Sequence, residues 1–99
     1  MQQQRTSNNL SSLQEALTNY RLVRMAYTNQ AGIQTVRTIE PFALLSTENW
    51  LLVAWCRLRE GFRFFRLDRI GELNVLADTF PPHGMSLQEF FDRYHLGES

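Results

Sequence analysis

Nine residues in the second half of the chain, FRFFRLDRI at 62–70, constrain the fold more than any other stretch. On an α-helix Arg63, Arg66 and Arg69 would share one face, because residues three apart are neighbours there. On a β-strand they are divided, with Arg63, Phe65, Leu67 and Arg69 pointing one way and Phe62, Phe64, Arg66, Asp68 and Ile70 the other. Three phenylalanines within four positions, with no alanine, lysine or glutamate, favour the strand. Neither face is then cleanly apolar, and arginines on both sides need an explanation.

The neighbouring sequence supplies strands for this one to join. RLVRMAYT (21–28) and IQTVRTIEP (33–41) flank NQAG, where Gly32 can take the positive φ of a hairpin. Pro41 is expected to end the second run, leaving FALL as a brief apolar piece and STEN as a turn. Trp50–Leu58 reads as the most buried strand, REG turns the chain at Gly61, and GELNVL continues after Gly71 as a last strand. Ahead of the strands, Ser12 and Glu15 form a capping box and Leu10, Leu13, Leu17 and Tyr20 recur at helical spacing, predicting a helix over 12–20. A second capping box, Ser86 with Glu89, starts a short helix after the proline-rich TFPPHG.

This pattern predicts a mainly β fold. Five antiparallel strands form a small, strongly bent sheet or partly open barrel, with an N-terminal helix plugging one end and a short C-terminal helix. The expected core is Leu13, Leu17, Val23, Ala26, Val36, Ile39, Leu52, Ala54, Phe64 and Ile70. Residues 1–11, rich in Gln, Asn and Ser, are expected to be a flexible leader, 12–80 the helix and barrel, and 81–99 a tail carrying the second helix.

A chain of 99 residues is one domain, and its formal net charge of zero gives no reason for whole-molecule attraction to nucleic acid or an anionic membrane. The charge is nevertheless divided. Residues 21–69 carry eight arginines against four acids, and residues 70–99 carry five acids against one arginine. All ten basic residues are arginine, the side chain suited to planar, bidentate pairing with phosphate or carboxylate. The lone Cys56 excludes an internal disulfide framework and a cysteine-cluster zinc site. No signal-like or membrane-length apolar run is present, so a cytoplasmic location without membrane contact is expected.

With the strands placed, Tyr27, then Arg37-Thr38-Ile39-Glu40-Pro41, then Trp50-Leu51-Leu52-Val53-Ala54, then Arg63-Phe64-Phe65-Arg66-Leu67-Asp68-Arg69-Ile70 resemble the WYL domain of bacterial transcriptional regulators over residues from about 13 to 80. The closing RxFRLDRI-like run is the most specific part. The chain departs from the family where Leu51 stands in place of the tyrosine of the Trp-Tyr-Leu triplet. The resemblance implies a five-stranded Sm-like barrel. It also implies a DNA-binding domain normally supplied by a flanking segment, so the chain would be a piece of a longer protein or a stand-alone module. The implied function is sensing of a nucleotide-like anion or short single-stranded nucleic acid.

On that reading Arg37, Arg63, Arg66 and Arg69 are the candidate ligand contacts, at least two of them converging on a shallow groove while others pair with Asp68 or Glu40. Tyr27 and Trp50 are candidates for base stacking. His83 and His95 lie outside the barrel motifs and read as surface groups, and no motif assembles a catalytic set, a metal site or a cofactor site. The competing reading is an association module. Phe90, Phe91 and Tyr94 on the tail helix then supply a homodimer patch and the arginines are incidental.

Overall fold

Four antiparallel pairings tie five strands into one sheet. The computed structural model describes residues 2–94, which form α1 (Gln2–Asn19), β1 (Arg21–Thr28), β2 (Gln34–Ser46), β3 (Trp50–Cys56), β4 (Gly61–Arg66), a 3-10 turn (Leu67–Arg69), β5 (Ile70–Thr79) and α2 (Leu87–Arg93). The strand order is β4-β3-β2-β1-β5. Among the described residues no ladder joins β4 to β5. The expected barrel is therefore an open, bent sheet.

Alternation of side chains along the strands builds two cores. Val23, Met25 and Tyr27 from β1, Ile39 from β2, Leu52, Ala54 and Cys56 from β3 and Phe65 from β4 meet Leu13 and Ala16 of α1 on the inner face. Each large apolar side chain buried there contributes about 1.5–3 kcal/mol relative to leaving it in water. On the outer face of β3 and β4, Val53 and Phe62 meet Phe90 of α2, with Phe42, Trp55, Phe64 and Tyr94 packed around them. The FRFFRLDRI segment is apolar on both sides because both sides are covered. It is also not one strand, since the 3-10 turn separates β4 from β5.

Six of the ten expected core residues are buried: Leu13, Val23, Ile39, Leu52, Ala54 and Ile70. Leu17 and Ala26 are half-buried, and Phe64 belongs to the outer cluster. Val36 is 56% exposed while Arg37 beside it is only 4% exposed. Strand parity explains the exchange. Arg37 and Ile39 lie two apart and share a face, so Val36 points away from it.

Two boundaries also differ from expectation. α1 begins at Gln2, so the residues expected as a leader are helical and Ser12 lies inside the helix. Asn9 is buried and its Nδ2 donates to the Gly71 carbonyl at 3.5 Å, while Leu10 packs on the inner core. Docking of this face outweighs the local capping signal. The helix ends at Tyr20, whose φ of 52° is left-handed.

The second boundary is at Pro41, which does not end β2. The ladder to β3 passes from Pro41 opposite Ala54 to Ala43 opposite Val53, so one extra residue is absorbed as a β-bulge. Pro41 lacks an N–H, and a bulge is where a strand tolerates that. The bulge reverses the parity of the strand. Arg37 and Ile39 face inward, Phe42 and Ala43 join the outer cluster, and Leu44 returns to the inner one.

The turns follow local chemistry. Gly32, at φ 84°, closes the β1–β2 hairpin, where the Asn29 side chain accepts from the Ile33 N–H at 2.9 Å. In the β3–β4 turn Glu60, at φ 53°, takes the left-handed position, not Gly61. The tail helix starts where the sequence predicts. Glu89 N–H donates to Ser86 Oγ and Ser86 N–H to Glu89 Oε1, completing the capping box. Those bonds from Ser86 hold the Glu89 carboxyl below its usual range.

Candidate functional site

The sheet divides the four candidate arginines. Arg37 is held on the inner face by β2. Its Nε donates to Thr35 Oγ1 at 3.1 Å, its Nη1 approaches Cys56 Sγ at 4.0 Å, and its guanidinium lies 5.5 Å from the Phe65 ring centre. A cation held over a ring in a buried setting is a charge fixed in place. Arg63 shares that face, because it stands opposite Ala54 across the β3–β4 ladder. Its Nη1 donates to the Phe62 carbonyl at 3.0 Å and lies over Gly61, where an added Cβ would meet it at 3.4 Å. Gly61 pairs with Cys56. Arg37 thus reaches Cys56 directly, and Arg63, from another strand, lies over the residue paired with it.

Arg69 precedes Ile70, which is paired with Tyr27 at the hairpin end of β1. Tyr27 is in turn paired with Thr35, so Arg69 enters the sheet at the end that carries Arg37. Arg66 is on the other side. Its Nε donates to Asp68 Oδ1 at 3.0 Å and its Nη2 to Asp68 Oδ2, a bidentate pair on the exposed face. The row in the sequence thus puts Arg63 on the inner face and Arg66 in an outer ion pair. The second acid proposed as an internal partner, Glu40, pairs with Arg57 instead, Arg57 Nε to Glu40 Oε2 at 3.0 Å.

The aromatic candidates are placed differently from expectation. Tyr27 is fully buried, edge-on to Phe65 at 5.0 Å, and its hydroxyl accepts from the Arg66 N–H at 3.0 Å. Its faces are enclosed by protein and offer a base no platform in this conformation. Trp50 is half-buried against the inner core at the opposite end of β3 from Cys56. They are six positions apart, roughly 20 Å of strand, so Trp50 is far from the Arg37 contact with Cys56. Leu51 lies on the outer face opposite Arg66, away from Arg37 and Arg63.

The tail aromatics are not an open patch. Phe90 is completely buried and Tyr94 stacks on it at 5.0 Å, while Phe91 remains 41% exposed. Phe90 and Tyr94, expected in a homodimer patch, instead find a partner within the chain in the outer face of β3 and β4. His83 was missed as well. It sits against Phe62, Phe80, Phe42 and Trp55, with ring centres 5.0–6.1 Å away, and its Nε2 is 3.0 Å from Glu40 Oε1. It is a close contact between polar groups, with Nε2 turned toward Glu40. The signal available in the sequence was the second apolar face of FRFFRLDRI, which requires a cover. His95 lies outside the described residues.

Two surface cavities stand out, and the larger, about 580 Å³, is bounded by the end of α1, the bulge of β2 and the linker into α2. The smaller, about 190 Å³, lies against Arg24, Val36 and Glu72 on the outer side of β1. Neither is lined by Arg37, Arg63, Arg66 or Arg69. No described helix is long and apolar enough to cross a membrane.

Comparison with known proteins places these elements in a family. The model of the WYL domain matches residues 8–75. An uncharacterized HTH-type transcriptional regulator of Bacillus subtilis (strain 168), YobV, is 37% identical over 59 residues, which are 59% of this chain and 19% of that protein. Among solved structures, proteasome accessory factor B/C (PafBC) of Arthrobacter aurescens superimposes with a TM-score of 0.70 at 27% identity, over 80% of this chain and 12% of that one. The chain thus spans less than a fifth of the length of either relative. Matched from within α1 to within β5, it belongs to the WYL domain family.

Proposed function

We propose that this chain is the ligand-sensing regulatory domain of a bacterial transcriptional regulator. Its ligand is anionic, a nucleotide or short single-stranded nucleic acid, held at the inner-face end of the sheet that carries Arg37 and Arg63. The observation that supports the reading is that Arg37 and Arg63, on separate strands, share the inner face of the sheet, Arg37 buried over Phe65 beside Cys56 and Arg63 over Gly61, the strand partner of Cys56. A guanidinium fixed by Thr35 and a ring loses little freedom when an anion arrives. Arg69 enters at the same end and is assigned to the same site, and Arg66 serves the fold through Asp68. Tyr27 supports the site from below by carrying Phe65 and the start of the 3-10 turn. Trp50 is reserved for a strand long enough to run along β3.

The likeness to an HTH-type regulator supports the larger context, in which a DNA-binding domain of the parent protein receives the signal in the cytoplasm. The reading is non-catalytic and needs no cofactor. The parent is proposed to act as a homo-oligomer through surfaces other than Phe90 and Tyr94, whose rings are already used within the chain.

The test is titration with short single-stranded DNA, single-stranded RNA and dinucleotides at low and high salt. Three phosphate contacts on a single strand give a log–log salt slope of about −2. Arg63→Ala and Arg69→Ala should each weaken binding and flatten that slope, and Arg37→Lys should weaken it while keeping the charge. Affinity unchanged in all three variants overturns the reading.

A further inference from the structure

We propose that the cavity between α1, β2 and the tail is a second binding site, one that takes a flat, apolar molecule carrying a single amine cation. Its volume of about 580 Å³ is in the range of sites that enclose small ligands. Four aromatic rings line it, Tyr20 at the end of α1, Phe42 at the bulge, Phe80 after β5 and the His83 imidazole, and Met85 lies among them. Tyr20 and Phe80 meet edge to face at 6.1 Å, so two of the walls are already fixed relative to each other. Ring faces and a thioether accept a flat apolar body, and ring faces also attract cations.

Charge decides the class of ligand. No arginine lines the cavity, and its one carboxylate is Glu89. The capping-box bonds from Ser86 stabilise the ionised form of Glu89, so a negative charge stands at the rim at neutral pH. His83 also lines the cavity, but its Nε2 is turned to Glu40, whose other oxygen holds Arg57. The rim therefore favours a cation, opposite in sign to the ligand proposed for the arginine site. A molecule bound here would bridge the last turn of α1 to the first turn of α2, two elements that otherwise pack on different faces of the sheet.

The experiment follows tryptamine, neutral indole and indole-3-acetate by NMR with the full chain, reading the Met85 methyl and the Tyr20 and Phe80 rings. Tryptamine at about 1 mM should shift those signals, indole less, and indole-3-acetate least. Glu89→Gln preserves the capping geometry, since Gln serves at that position. It should weaken tryptamine about two- to fivefold, the worth of one exposed ion pair, and leave indole unchanged. Arg63→Ala should alter none of these titrations, which separates this site from the anion site. The proposal is overturned if the three probes bind alike, if the cavity signals stay still, or if Glu89→Gln leaves tryptamine affinity intact.

Discussion

The inner face of the sheet is closed by an 18-residue helix through mostly aliphatic side chains, whereas the outer face of β3 and β4 is closed by a seven-residue helix and its linker through aromatic rings. A helix of two turns has no stability of its own in water. Rings, each able to bury roughly 150–250 Å², let Phe90 and Tyr94 fasten a segment that backbone bonding alone would leave open. The inner core defines the domain. The outer one attaches a piece to it.

Removing one phenylalanine from each face sharpens this contrast. Phe65→Ala should cost about 3–5 kcal/mol in a denaturant titration, since it empties the space between Tyr27 and Arg37, and the whole chain should unfold in one step. Phe90→Ala removes the same chemistry from the other side. It should cost less globally and act locally, with hydrogen exchange accelerated in α2 while β1 and β2 stay protected. Equal loss of protection in all three elements would show that the two cores are one cooperative unit.

Smaller changes probe the links around each face. Tyr27→Phe leaves the packing but strips the Arg66 N–H of its acceptor, an expected loss of about 1–2 kcal/mol by thermal or chemical unfolding. Ser86→Ala should cost about 1 kcal/mol, confined to the stability of α2. The Glu89 half of that cap carries a pH dependence. Its folded-state pKa is depressed, so its contribution is present above the ordinary carboxyl value of 4.5 and lost as pH falls through the folded value. The α2 amides should exchange faster under acid than the change in intrinsic exchange rate accounts for. Arg66→Ala, breaking an exposed pair, should change stability by no more than about 1 kcal/mol.

What the sequence revealed came from local chemistry. Five strands, the Gly32 hairpin and the Ser86–Glu89 cap are written within a few residues each, and the structure contains all of them. What it concealed depended on distant partners. Arg37 has the parity of Ile39, which is sufficient to place it inward, yet a charge is assigned to solvent by default because so few are buried. Ser12 satisfies a helix-start rule, but Asn9 and Leu10 find partners on the sheet that no window around them shows. The candidate site was legible to a similar degree. The Arg66–Asp68 pair follows from two neighbouring residues. The shared inner face of Arg63 and Arg37, and the enclosure of Tyr27, required the register of three ladders.

The single surplus residue between Pro41 and Ala43 has a consequence for how such chains can vary in length. Deleting it would turn the remainder of β2 over, sending Leu44 toward the tail and Leu45 toward α1. Related chains should therefore gain or lose residues freely at 29–33 and 57–60, where the backbone merely reverses direction, and keep their count fixed at 41–43.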